Sequence, residues 1–221
     1  MNRLYHYPLS PFSRKVRLVL AEKRIEVELA EERYWELDPD FLRRNPAGQV
    51  PVLRLGGRTL ADSQAICEYL EEVVPTPPLF PQSPEGRYEV RRLCAWFDGK
   101  FHGEVTRKLM GERVFKKLTG GGVPDSQAIK SGARDIKYHL GYMTFLLETR
   151  RWLAGNEMTL ADFAAAAQLS CLDYVSDVPW DRYETVKDWY AKIKSRPAFR
   201  SLLADQVPGF RPGAHYADLD F

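Results

Sequence analysis

Two kinds of hydrophobic pattern divide the chain. Over residues 3–74 short apolar runs alternate with helical periodicity, and from residue 86 to about 204 helical periodicity alone remains. Residues 3–7 predict a first strand. A helix follows over residues 12–23, with Ser10 as N-cap and Pro11 at its first position. Val16, Leu18, Val19 and Leu20 supply its buried side, and Arg14, Lys15 and Arg17 its solvent side. Residues 25–29 predict a second strand and residues 38–44 a short helix. Residues 50–55 and 58–61 form a hairpin about Gly56-Gly57. Asp62 and Ser63 then cap a helix to about residue 74, with Ile66, Leu70 and Val73 on one face. Pro51 cannot donate to a sheet ladder and belongs at an edge or special turn, where a cis Val50-Pro51 bond is expected. The order is β-α-β-α-β-β-α.

Residues 75–81, P-T-P-P-L-F-P, place four prolines in seven positions. They cannot continue a helix and favour a stiff connection. The pattern therefore divides into residues 1–79, with a linker over 75–85, an all-helical domain over 86–204 and a tail over 205–221. The helical part opens with a long helix over residues 87–118, broken by T-G-G-G-V-P, and continues with another over residues 125–149. Thr159 with Asp162 three residues later is a variant capping box ahead of an alanine-rich helix, a structural feature. Prolines and glycines forbid a continued helix in the tail. Its last seven residues, H-Y-A-D-L-D-F, alternate apolar groups with acids, as in a short motif for a basic, apolar groove.

The string V-P-V-L, turn, strand, D-S-x-A-I at residues 50–66 resembles the glutathione-binding half of cytosolic glutathione S-transferases. The resemblance extends over residues 3–204 and includes G-x-x-x-T-x-A-D at 155–162. It implies a thioredoxin-like N-terminal domain followed by an all-α domain. It also places a glutathione site on Val50, Pro51, Asp62 and Ser63, the residue before the proline pairing its backbone with the tripeptide. A helix N-terminus with free N–H groups and a hydroxyl suits a carboxylate. S-P-F-S-R-K-V-R-L-V-L resembles the first-helix motif of serine- and cysteine-type transferases and puts their catalytic position at Ser10. A hydroxyl donor at a helix N-terminus favours the thiolate of bound glutathione. A plain Ser-Pro cap is the alternative.

Composition narrows the picture. With 44% apolar residues the chain has ample material for a core, and a net charge of +2 argues against general nucleic-acid affinity. The charge is uneven, since residues 86–151 carry fourteen Lys/Arg against seven Asp/Glu while residues 205–221 carry one Arg against three Asp. Cys67, Cys94 and Cys171 lie far apart without metal spacing, as expected of reduced core thiols in a cytoplasmic protein. No metal site is predicted. No run approaches a membrane span and the N-terminus lacks a signal pattern, so neither membrane insertion nor export is expected.

The opening Y-H-Y-P-L-S-P-F-S-R-K-V-R, the loop R-Y-W-E at 33–36 and the ending together resemble a branch of the transferase family, the division proteins of alphaproteobacteria that bind the tubulin homologue FtsZ. That resemblance implies a cytoplasmic homodimer at the division site. It would bridge or curve FtsZ filaments and regulate constriction, possess no required cofactor, and retain a vestigial or weak glutathione site. The expected partner contacts are Tyr216, Asp218, Leu219, Asp220 and Phe221, with Trp35, Arg113, Lys116 and Lys117. An active transferase conjugating glutathione to a small electrophile, with Ser10 activating the thiol, is the rival reading.

Overall fold

The computed structural model describes residues 2–219. Its N-terminal half runs β1 (Arg3–His6), α1 (Pro11–Glu22), β2 (Glu28–Glu31), α2 (Pro39–Arg44), β3 (Val52–Leu55), β4 (Arg58–Ala61) and α3 (Ser63–Val73). The four strands are ordered β2-β1-β3-β4. β1 and β2 are parallel, while β3 is antiparallel to both β1 and β4, with Leu4, Leu53 and Leu60 in register. Gly56 and Gly57 both have positive φ, 55° and 82°, as the tight hairpin between twisted strands requires. Val50-Pro51 is cis, and so is Thr76-Pro77.

Three differences from the sequence pattern have simple causes. β2 begins at Glu28 rather than residue 25 because Ile25 is used to end α1. Arg24 turns left-handed with φ 56°, and the Ile25 N–H donates to Leu20 O at 2.8 Å. On α3, Val73 is 49% exposed, because the last turn overhangs the core; Ile66, Cys67 and Leu70 carry the buried face instead. The third concerns α1. Arg14, Lys15 and Arg17 are all buried, because the helical half of the molecule covers the face the sequence pattern leaves to solvent.

That half begins with α4 (Pro84–Ala95), whose N-cap Ser83 accepts from the Gly86 N–H at 3.1 Å. The chain continues without a break as a π-helix over Trp96–Thr106, α5 (Arg107–Met110), a second π-wound stretch over Gly111–Phe115, and α6 (Lys116–Leu118). α7 (Ser126–Leu147), α8 (Leu160–Tyr174), α9 (Glu184–Lys194) and α10 (Arg200–Leu203) complete it. Every residue of α8 is buried, so it is the axis of the helical half, and it packs against both α1 and α4. An all-round apolar helix belongs in such a place.

The tail is tied down. Val207 pairs with Phe210 in a β-bridge, and the Gly213 N–H donates to Tyr174 O at 3.1 Å. Tyr216 is fully buried, edge-on to Tyr174 at 5.1 Å. Its hydroxyl donates to Leu202 O at 3.0 Å and accepts from Arg14 at 2.9 Å. Burial of a ring this size stabilises by on the order of 2 kcal/mol. Tyr216 is therefore a core residue of the closing segment and not part of a partner-facing surface.

Candidate functional site

A cleft of about 830 Å³ lies between the two halves. Ser10, Val50, Pro51, Asp62 and Ser63, separated by up to 53 positions in sequence, all line it. Two helices end on it. α1 presents its N-terminus at Ser10 and Pro11, and α3 presents its own at Asp62 and Ser63, so two positive dipole ends share one cavity.

Ser10 is the N-cap of α1, and its Oγ accepts from the Ser13 N–H at 3.2 Å. Ser13 Oγ in turn accepts from the Tyr7 N–H at 3.3 Å, which fixes the loop leading into the helix. The Ser10 hydroxyl proton has no acceptor among the described residues, so it remains available to a ligand atom in the cleft. Asp62 is the N-cap of α3, and it sits at φ 69°, a conformation L-residues seldom adopt. Such strain is characteristic of ligand-holding positions. Its Oδ1 accepts from the Gln64 and Ala65 N–H groups, each at 2.9 Å, and so leaves the N–H and hydroxyl of Ser63 as the unspent donors of that turn.

The opposite wall comes from the long helical run, with Asp98, His102, Thr106 and Arg107, and Tyr34 and Phe115 stand at one end. Sequence patterning found none of these six as site residues, nor Gln49 and Gln64, which also line the cleft. The π-winding changes which residues of the run share a face, and nothing in the local composition announces it. Lys15, buried on α1, pairs with Asp98 across the two halves and donates to Gln64 Oε1 at 3.2 Å. Burial is the largest single influence on Lys15 and disfavours its charge, but the surrounding groups, Asp98 foremost, together hold the pKa above its ordinary value.

Trp35 does not line the cleft. It packs edge-on against Tyr7 at 4.8 Å and against Tyr34 and Phe115, so the loop after β2 is clasped to the helical half. Arg113 pairs with Asp177, and Lys116 with Glu112 at 2.8 Å, which neutralises two of the three basic positions. Lys117 lies over the Phe210 ring at 5.0 Å. Asp218 and Leu219 are exposed at the end of the described chain, and Asp220 and Phe221 lie outside the described residues. The three thiols are free and buried, and burial pushes Cys67 up to about 12 and Cys171 to about 11. Neither is a thiolate at neutral pH. No cluster of metal-ligating groups occurs among the described residues, and no helix there is long and apolar enough to cross a membrane.

The N-terminal domain family of glutathione S-transferases matches residues 4–78, and the C-terminal domain family matches residues 123–197. FtsZ-localized protein A of Caulobacter vibrioides is 49% identical, the similarity covering 99% of this chain and 97% of that protein. Among solved structures, a glutathione S-transferase from Rhodospirillum rubrum superposes with a TM-score of 0.98 at 51% identity over the whole of both chains. FzlA from C. crescentus superposes with a TM-score of 0.96 at 49% identity, covering 100% of this chain and 99% of that one. Both superpositions take in the four-stranded mixed sheet and the helical domain together. With the similarity running the length of the chain, the protein belongs to the glutathione S-transferase family, on the branch that includes FtsZ-localized protein A.

Proposed function

We propose that the protein is a cytoplasmic cell-division protein that binds FtsZ filaments as a homodimer and regulates constriction by bridging or curving them. The observation that carries this reading is whole-chain similarity, tail included, to a protein named for its localisation to FtsZ. The build of the tail supports it. Tyr216 anchors the closing segment in the core, and Asp218 and Leu219 project at the surface just beyond the anchor. A tip held at a fixed point loses little freedom when it docks, which favours affinity. A two-fold dimer carries two tips and gains avidity on a repeating filament.

The test separates anchor from tip. Truncation that removes residues 217–221 but keeps Tyr216 abolishes co-sedimentation with FtsZ filaments and their bundling, while the melting temperature stays within a few degrees of the full chain. Unchanged bundling would remove the tail from the mechanism.

One observation favours a second reading, an active glutathione transferase: Ser10, Val50, Pro51 and Ser63 converge on a single cleft with unspent donors. There Ser10 would stabilise the thiolate of bound glutathione, and Ser10→Ala would lower turnover with a standard chloronitrobenzene electrophile about 10²-fold or more. No turnover by the unaltered protein would dispose of this reading and leave the first intact.

A further inference from the structure

The helical wall of the cleft is polar at the place where an electrophile pocket would be apolar. Asp98, His102 and Thr106 recur at four-residue spacing along the π-helix Trp96–Thr106, and Arg107 follows; all four line the cleft. π-Wound stretches are enriched at functional sites. Thr106 is 1% exposed, and its Oγ1 has no hydrogen-bond partner. A helical threonine ordinarily has the carbonyl four residues earlier at hand, and Thr106 leaves it unused. His102 Nδ1 is also buried without a well-formed hydrogen bond, the Gln168 amide being its nearby polar neighbour, and burial, opposed by Gln168, holds the imidazole below its ordinary pKa, so the ring is neutral at pH 7. Phe12 packs against that ring at 4.7 Å. Arg107 is exposed and has no ion-pair partner among the described residues.

A buried hydroxyl left unsatisfied is unfavourable by about 1–3 kcal/mol, and a neighbouring buried ring nitrogen adds to that. Two such groups on the same wall as a guanidinium without an ion-pair partner form a cradle that an anion would satisfy. The acids that face the cleft do not fill it. Asp98 is paired with Lys15, and Asp62 Oδ1 is engaged by the first turn of α3.

The geometry points to a carboxylate-binding subsite on this wall, with Arg107 gripping the carboxylate and the Thr106 hydroxyl and His102 ring completing its hydrogen bonds. A planar carboxylate with one charge matches a single guanidinium fork, whereas a tetrahedral phosphate gathers two charges on one group and would leave charge uncompensated. The ligand class is a small organic acid, or a thioether of such an acid; the thioether form alone rests on the reading of the opposite wall as a tripeptide site.

Amide-resolved NMR on the full-length labelled protein tests both halves separately. Succinate alone is expected to shift the Thr106 and Arg107 resonances. Arg107→Gln weakens that binding at least tenfold, and the isosteric Thr106→Val weakens it severalfold. No shift with succinate, an equal response to the neutral succinamide, tighter binding of inorganic phosphate at the same residues, or unchanged affinity in Arg107→Gln overturns the subsite. Glutathione alone is expected to shift Val50 and Ser63. A failure there with succinate binding retained removes the tripeptide reading and leaves the subsite standing. Where both halves bind, S-(3-carboxypropyl)glutathione binds at least tenfold tighter than S-butylglutathione, and equal affinity counts against the subsite.

Discussion

Asp162→Ala lowers the unfolding free energy by about 3–5 kcal/mol, the range for stranding several buried polar groups at once. The carboxylate is fully buried at the start of α8, and four donors converge on it. Oδ1 accepts from the Leu153 N–H at 3.0 Å and from Trp189 Nε1 at 2.9 Å. Oδ2 accepts from the Thr159 N–H at 2.8 Å and from its hydroxyl at 3.3 Å. One side chain thus ties the loop before α8, the first turn of α8 itself and the indole of α9 together. Burial raises its pKa, and the four donors pull it back without cancelling the rise. Asp162→Asn is a sharper probe, because its amide can serve Leu153 and Trp189 but then turns a donor toward the Thr159 N–H. It should lie between wild type and alanine, whereas Thr159→Ala, which removes only the weakest of the four bonds, should lose about 1 kcal/mol. Urea denaturation of the four proteins gives the order. An Asp162→Ala variant within about 1 kcal/mol of wild type would mean that the freed donors find water, contrary to the burial of the site.

The capping pair at Thr159 and Asp162 is local, and its role was legible in the sequence because spacing alone specifies it. The same holds for the Ser10-Pro11 entry to α1, the Gly56-Gly57 hairpin and the D-S start of α3. Each is settled by neighbours within four residues. Convergence of Ser10, Val50, Pro51 and Ser63 on one cleft was accessible only through resemblance, since no local pattern says that three loops meet. What local reading missed depends on a distant partner. Arg14, Lys15 and Arg17 satisfy the pattern of a wet helix face, and only Ser170, Asp98 and Asp205, residues 83 to 188 positions away, make that face buried. Tyr216 sits in a string that looks like an exposed motif, and its acceptor is Leu202 and its donor Arg14. Alternation of acids and apolar groups cannot distinguish a surface tip from an anchor followed by a tip. The π-wound wall of the cleft was invisible for a further reason, because no local composition marks the shift from α to π winding in a segment that packs against α7 and α8.

Asp205→Ala lowers the unfolding free energy by about 3–5 kcal/mol as well, and for a different reason: it leaves two buried guanidiniums without their carboxylate. Asp205 Oδ2 accepts from Arg17 at 2.9 Å and from Arg14 at 3.3 Å, and Oδ1 accepts from Arg17 at 2.9 Å. An arginine cannot discharge itself by losing a proton, so the charge stays and the chain must open to hydrate it. Opening here means release of the tail, because Val207 and Phe210 rest on the Tyr174 hydroxyl and Tyr216 rests on Arg14. Chymotrypsin should therefore cut after Tyr216, which is buried in the wild type, in Asp205→Ala under conditions that leave that bond of the wild type whole. Arg14→Met is milder, about 1–3 kcal/mol. Arg17 still neutralises Asp205, Tyr216 keeps its bond to Leu202, and Pro8 O, which accepts from Arg14 Nε at 2.6 Å, loses its partner. The double variant should lose less than the sum of the two, since Arg14→Met removes one of the charges that Asp205→Ala would strand. Additivity within about 0.5 kcal/mol would show that the two residues act independently, and the tail would then be held by its own packing and not by the ion pairs beneath it.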